Sequence, residues 1–338
     1  MLSTFIRSRL RAYQIQRLAI DLFGFCNAKC WYCPVKYIPQ PEAGMKQMPI
    51  EDVEKIFRKL IIERETPNGV VSPDFELFLT THYSEVLLYK DFEKLLELAK
   101  HYGLKTFILS NGVNLTPEKL DIINKYVPSV IQEIALNIPA YENAEVWSKR
   151  SGFPAKRFDD VMANLQNLHD HPVTRKLQGR VKLIVNGVNE LSFKTGSLKK
   201  GPKFDELGID LDMETGEHQK QVDIAKKMFP KFDVEKSDLI DRTGLIGQYI
   251  TEEEYMKDRM KNRTVVGCNN WGDRNYEWLS VNSSGDAILC CNDYNFDYIF
   301  GNILEQELSE MWFSDKHVET IDRAYNNICT KCSASVTK

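Results

Sequence analysis

The stretch GFCNAKCWYCP, residues 24–34, decides the fold. Three cysteines, Cys26, Cys30 and Cys33, fall within eight residues. They directly follow RLAIDLFG (17–24), an apolar run of strand length. Four thiols would close a tetrahedral metal site, and the first histidine along the chain is His82. Three ligands leave one coordination position open, and an open position is where a metal group reacts rather than merely braces a fold.

Outward from this loop, strand-like and helix-like segments alternate. PIEDVEKIFRKLIIE (49–63) carries apolar residues at helical spacing. FELFLT (75–80), a helix over roughly 90–102 and KTFILS (105–110) follow. Thr116 and Glu118 open the helix TPEKLDIINKY, and IQEIALNI (131–138) reads as the next strand. A helix over roughly 157–170, the strand VKLIVNGV (181–188) and a sixth strand GIDLDME (208–214) complete the series. Repeated βα units imply an α/β fold with a parallel sheet or barrel and helices outside. Six strands are too few for an eight-fold barrel. The cysteine loop, THYSE, SNG and NGVNE each lie just after a strand, at the end where such folds place their active sites.

The whole chain has 338 residues, 43% of them hydrophobic, enough for one large core or a large and a small domain. A net charge of −4 gives no electrostatic footprint for nucleic acid. No segment reaches the roughly 18 apolar residues needed to span a bilayer. The first residues hold Arg7, Arg9 and Arg11 without an acid, as transit peptides do, but no cleavage signal follows. A short basic lead-in helix over 1–16 and a cytoplasmic location are expected. The eight cysteines form two groups, with none between Cys33 and Cys268, which suits metal binding in a reducing compartment better than a disulfide framework.

CNAKCWYC is CxxxCxxC, and with Tyr32 before the third cysteine it resembles the signature of the radical SAM superfamily. The resemblance implies a [4Fe–4S] cluster on Cys26, Cys30 and Cys33 whose open iron chelates S-adenosylmethionine (AdoMet). An electron from the cluster then cleaves the sulfonium, and a 5′-deoxyadenosyl radical takes hydrogen from substrate. LTTHYSEVLLYKDF resembles the family's GGEPLLYPDF segment and puts Glu85 on the glutamate that binds the methionine amino group. Here Tyr83 and Ser84 replace the usual two glycines. ILSNG resembles the third-strand motif, so Ser110 and Asn111 are expected to line the cofactor pocket, and Asn189 in VNGVNE matches a residue near the ribose or carboxylate. The resemblance covers residues 17–214 and implies a partial (β/α)6 barrel. Residues 215–263 read as a charged helical connector. Taken residue by residue, a zinc knuckle at 26–33, a solvated Glu85 and a plain turn at SNG are the bland alternatives.

Residues 264–338 change character. EWLSV and AILCC flank NSSGD, a hairpin signal, and ELSEMWFSDKHVETIDRAY reads as one or two helices. The order Cys268, GxxxxC ending at Cys290, GNI at 301–303 and CxxC at Cys329 and Cys332 resembles SPASM and twitch domains. It implies a small C-terminal α+β auxiliary-cluster domain with one further [4Fe–4S] cluster on Cys268, Cys290, Cys329 and Cys332. Four thiolates would equally suit structural zinc. Cys291 is then spare, either a small buried side chain or a hydrogen-atom donor.

A closed auxiliary cluster suits electron transfer, so the expected enzyme oxidises or epimerises a small molecule, a sugar or aminocyclitol. A flavodoxin- or ferredoxin-type donor would supply electrons. Peptide maturation is the alternative, weakened by the absence of a leader-gripping segment ahead of the first strand. Asp210, Asp212 and Glu214 would share one strand face and suit a cationic substrate, or simply form an exposed edge. Trp271, Tyr276, Trp278, Tyr294 and Tyr298 are expected to pack the small domain against the barrel.

Overall fold

The computed structural model describes residues 2–38, 47–80, 82–187, 211–238, 243, 260–332 and 334–338. A lead-in helix α1 (Leu2–Ala12) precedes six strands: β1 (Ile15–Ile20), β2 (Val71–Phe78), β3 (Lys105–Ser110), β4 (Ile131–Asn137), β5 (Val181–Gly187) and β6 (Asp233–Asp238). These lie side by side in chain order and every pairing is parallel. That order, without a reversal, is the wall of a barrel rather than a doubly wound sheet. The connections carry α2 (Ile50–Glu65), α3 (Phe92–His101), α4 (Pro117–Tyr126), α5 (Ala144–Ser151), α6 (Phe158–Asp170), α7 (Pro172–Leu177) and α8 (Leu211–Met228). The longer helices of the series turn an apolar stripe inward. In α2 the buried set is Val53, Ile56, Phe57 and Leu60, the i, i+3, i+4, i+7 spacing seen in the sequence. Thr116 caps α4 by accepting from the Lys119 amide, as its position foretold.

The sixth strand is a correction. The described part of GIDLDME, Leu211–Glu214, is helical: α8 begins at Leu211, and its buried Val222, Ala225 and the following Phe229 recur at helical spacing. Three alternating apolar residues were too short a pattern to outweigh the helix that follows. The sixth strand is DVEKSD, inside the stretch expected to be a helical connector, and it pairs β5 from Lys182↔Asp233 to Gly187↔Asp238. It carries a single apolar residue, Val234, so nothing in its pattern announces a strand, which is how edge strands are kept from pairing further. Asp212 and Glu214 therefore stand in a helix, and Asp210 lies outside the described residues.

The C-terminal segment joins the same sheet. β7 (Val265–Cys268) and α9 (Arg274–Glu277) lead to β8 (Trp278–Val281), which pairs in parallel with β1 from Arg17↔Trp278 to Ile20↔Val281. β9 (Asp286–Ile288) and β10 (Ile299–Asn302) follow antiparallel, giving nine strands in the order β10-β9-β8-β1-β2-β3-β4-β5-β6. The NSSGD turn closes the β8–β9 hairpin as expected. Gly285 there has φ 86°, and a Cβ would lie 2.7 Å from Leu304, so only glycine fits. Two helices, α10 (Leu308–Trp312) and α11 (Asp315–Tyr325), precede β11 (Ser335–Thr337), which pairs with β7. The lead-in helix serves this segment: Arg7 meets Asp315 at 2.5 Å and Arg9 meets Asp273 at 3.0 Å.

Candidate active site

The cysteine loop leaves the C-terminal end of β1. Two backbone bonds pin it to the end of α5: Lys29 N to Ser151 O and Trp31 N to Arg150 O, both 2.9 Å. Gly152, at φ 76°, lets the two chains approach, since a Cβ there would stand 2.8 Å from that of Lys29. Trp31 is fully buried beneath the loop, with the buried Arg150 guanidinium 5.8 Å from its ring. The Tyr37 hydroxyl donates to the Trp31 carbonyl and draws the chain back.

All eight cysteines are thiols. Burial, then the Glu85 charge, holds the Cys26 thiol well above its ordinary pKa, with Cys30 and Cys33 adding to the effect. Burial and then Cys33 push Cys30 up to about 12, and the Tyr32 hydroxyl is hydrogen-bonded to its sulfur. Raised thiols such as Cys26 and Cys30 in a dry loop give up their protons to a metal that takes their place. The donor set fits a three-thiolate cluster.

Glu85 lies after β2 and is 3% exposed. Its Oε1 accepts from Ser110 Oγ at 2.8 Å and Leu87 N at 3.3 Å, and its Oε2 from Asn111 N at 2.9 Å. Burial raises its pKa, and these three bonds oppose the rise. Asn111 also donates to Asn27 at 2.8 Å, which ties the SNG turn to the cysteine loop. Cys26, Cys30, Cys33, Tyr32, Glu85, Ser110 and Asn111 therefore form one neighbourhood at the strand ends. Asn189 lies outside the described residues. A cavity of about 510 Å³ opens along the sheet between Arg17, Glu76, Phe78, Lys182 and Trp271, and holds none of these residues.

The second cysteine group also converges. Burial, then Cys332, pushes Cys268 up to about 12. Burial, then Cys332 and Cys268, raises Cys329. Cys290 is raised by its bond to Cys291, then by burial, with Cys332 and Cys329 contributing. The Asn292 amide donates to Cys290 Sγ at 3.3 Å and its side chain to Cys332 Sγ at 3.7 Å, the second-layer donors a thiolate cluster uses. Among the described residues no three His, Cys, Asp or Glu side chains stand close enough together to hold one metal ion. A cubane holds its thiolates at separate corners. Cys291 sits with this group: Asn270 donates to its sulfur at 3.9 Å, and it raises both Cys290 and Cys268.

Two functional residues escaped the sequence reading. Asp21, in RLAIDLFG, is 1% exposed and accepts from the amides of His82 (3.0 Å) and Ser84 (3.3 Å). His82 Nδ1 stands 3.3 Å from the same carboxylate, and its Nε2 is 3.0 Å from the carbonyl of Cys290. The signal was an acid inside an otherwise apolar strand, which burial makes costly unless several donors meet it. Tyr83 and Tyr294 pack with Val35 against Cys26, Cys33 and Phe296, so the loop after Cys290 covers the first cysteine loop. Of the other aromatics singled out, Trp278 packs 4.7 Å from Phe78 and Tyr276 6.1 Å from Tyr13, whereas Trp271 is 66% exposed.

A parallel partial barrel with three thiols and a buried glutamate at its strand ends, plus a second thiol group on its flank, defines an AdoMet-dependent iron–sulfur enzyme. Residues 20–191 match the model of the radical SAM superfamily, and the chain belongs to it. Residues 268–333 match the SPASM iron–sulfur cluster-binding domain. The enzyme thus carries a [4Fe–4S] cluster, an auxiliary cluster and AdoMet. No curated protein matches the chain. Among solved structures it is similar to BtrN in complex with AdoMet and 2-DOIA (15% identity, TM-score 0.51, 94% of this chain and 90% of that one). It is also similar to Streptococcus suis SuiB bound to precursor peptide SuiA (17%, 0.58, 94% and 70%). A third is anSMEcpe with bound AdoMet (14%, 0.56, 94% and 83%). No helix among the described residues is long and apolar enough to cross a membrane.

Proposed function

We propose that this enzyme oxidises a small molecule, a sugar or aminocyclitol, with epimerisation as the variant outcome. Cys26, Cys30 and Cys33 hold the AdoMet cluster, and Cys268, Cys290, Cys329 and Cys332 close the auxiliary one. Bound there, the first cluster and AdoMet would supply one-electron reductive cleavage and hydrogen abstraction from substrate. The chain's part is placement. Glu85 takes the methionine ammonium, Ser110 and Asn111 hold that carboxylate still, and Tyr32 braces Cys30. Asn189 is assigned to the ribose or carboxylate on its motif alone. Four thiolates leave the auxiliary group no open position, which suits it to accept an electron rather than bind substrate. A flavodoxin- or ferredoxin-type protein would provide the reducing electron.

The observation that carries the small-molecule reading is the aromatic cover. Tyr83 and Tyr294 are buried against Val35 beside Cys26 and Cys33, so that aromatic side chains close over the first cysteine loop. A site covered in this way suits a compact substrate better than an extended chain. BtrN, whose structure holds 2-DOIA, is the similar structure this reading follows; SuiB with its precursor peptide supplies the alternative, peptide maturation. The test is release of 5′-deoxyadenosine by the reduced, reconstituted protein with a panel of amino sugars, cyclitols and peptides. Stimulation by peptides alone would replace the proposal with its alternative.

A further inference from the structure

The barrel loop that carries Glu85 also grips the auxiliary loop. His82 is fully buried at its side chain, and Asp21, one residue past β1, fixes it at both the amide and Nδ1. Its Nε2 faces the carbonyl of Cys290 at 3.0 Å. A carbonyl and a carboxylate only accept, so each ring nitrogen donates where both contacts are hydrogen bonds. The next residue adds a second hold, since the Tyr83 hydroxyl donates to the carbonyl of Tyr294 at 2.7 Å. Two consecutive side chains after β2 therefore bind the segment 290–294 at both ends. The tyrosine ring is 1% exposed and stands 5.5 Å from that of Tyr294.

We propose that His82 is a positioning residue for the auxiliary cluster: oriented by Asp21, it fixes the backbone of Cys290 and sets the potential at which that cluster accepts an electron. The inference rests on Cys290 being a cluster ligand. Reduction adds negative charge to the cluster. An N–H donor on the carbonyl of a ligating residue favours that charge, so it raises the potential, as donors around iron–sulfur groups do. Asp21 reaches both ends of this chain of bonds, because it also holds the Ser84 amide next to Glu85 at 3.3 Å. The cofactor loop and the electron acceptor are thereby built on one carboxylate.

The experiment uses the full chain with Cys26, Cys30 and Cys33 all changed to Ala, reconstituted so that about four irons remain, those of the auxiliary cluster. Its midpoint potential and EPR spectrum are read for His82→Ala, His82→Gln and Tyr83→Phe. The expected result is a downward shift of potential in His82→Ala and a value near that of the parent in His82→Gln, whose amide can still donate. Tyr83→Phe, which frees a carbonyl four residues from the ligand, shifts it less. If His82→Ala loses the cluster altogether, its retention at the parent potential in His82→Gln supports the inference equally. An unmoved potential in His82→Ala at full iron content overturns it, as does a His82→Gln protein that behaves like His82→Ala. Cys290→Ser in the same background separates the two levels: four irons retained there would remove the ligand assignment, and the inference with it.

Discussion

Changing Glu85 to Gln tests the cofactor reading with little change of shape. An ionised carboxylate offers about four acceptor positions. Three are taken by Ser110 Oγ, Leu87 N and Asn111 N, two of them on Oε1 and one on Oε2. The remaining position on Oε2 is where an ammonium group would donate. Glutamine can keep an oxygen toward Asn111 and the ammonium, but the charge is gone, and its amide then faces the Leu87 N–H as a second donor. A hydrogen bond to a charged group is worth about 1.5–3 kcal/mol, which converts to roughly 10- to 150-fold. AdoMet affinity of the reconstituted, unreduced Glu85→Gln protein should fall within that range, measured by equilibrium binding. The cluster should stay, because Glu85 is not among its thiolates. Unchanged affinity at full iron content would refute the assignment, and loss of the iron would show that Glu85 works on the fold instead.

Cys290→Ser should cost about four irons per chain by metal analysis, whereas Cys291→Ser should keep all of them and leave turnover intact; lost turnover with both clusters present would make Cys291 the hydrogen donor. His317 is fully buried, stacked 3.8 Å from Phe300, and burial lowers its pKa from 6.5 to about 4 despite its bond to Trp312 O. Because the folded pKa lies below the unfolded one, its stabilisation is complete above 6.5 and is lost as pH falls toward 4. Metal-free protein should lose about 2 kcal/mol more than His317→Phe between pH 7.5 and pH 5 in denaturant titrations, and equal losses would refute this. Gly152→Ala should lower the melting temperature and loosen the first cluster, because a left-handed alanine costs about 1–2 kcal/mol before its contact with Lys29 is counted.

The cysteines were legible because their chemistry allows few readings: thiols at fixed spacing after a strand have little to do but bind a metal. Glu85, Ser110 and Asn111 were legible for a related reason, since Ser110 closes β3, Asn111 follows it and Glu85 lies in the loop after β2, at the end of the strands where such folds place their sites. β3 was read to the residue, as Lys105–Ser110, because its apolar run has sharp polar borders. β6 was not, because an edge strand facing solvent is selected to look unlike a strand. Asp21 and His82 were illegible for a different reason. Their significance is a contact between residues 61 apart, and then one between residues 208 apart, which no local pattern encodes.

The placement of β8 has a mechanical consequence. It lies parallel on β1, with Ile20 opposite Val281, and the Asp21 amide donates to Val281 O at 2.8 Å. The cysteine loop begins on the next residues of β1, and the hairpin that delivers Cys290 begins at the end of β8. The first cysteine loop and the segment that carries Cys290 thus leave adjacent, hydrogen-bonded strands, not domains joined by a linker. Backbone ladders of this kind open only with the sheet itself, so these two attachment points stay together as long as the sheet does. What remains adjustable is the loop of residues 290–296, which His82 and Tyr83 hold from the barrel side. Substrate access and redox tuning would converge on that loop, so substitutions there should alter both together, while substitutions in β8 should affect neither until the sheet itself fails.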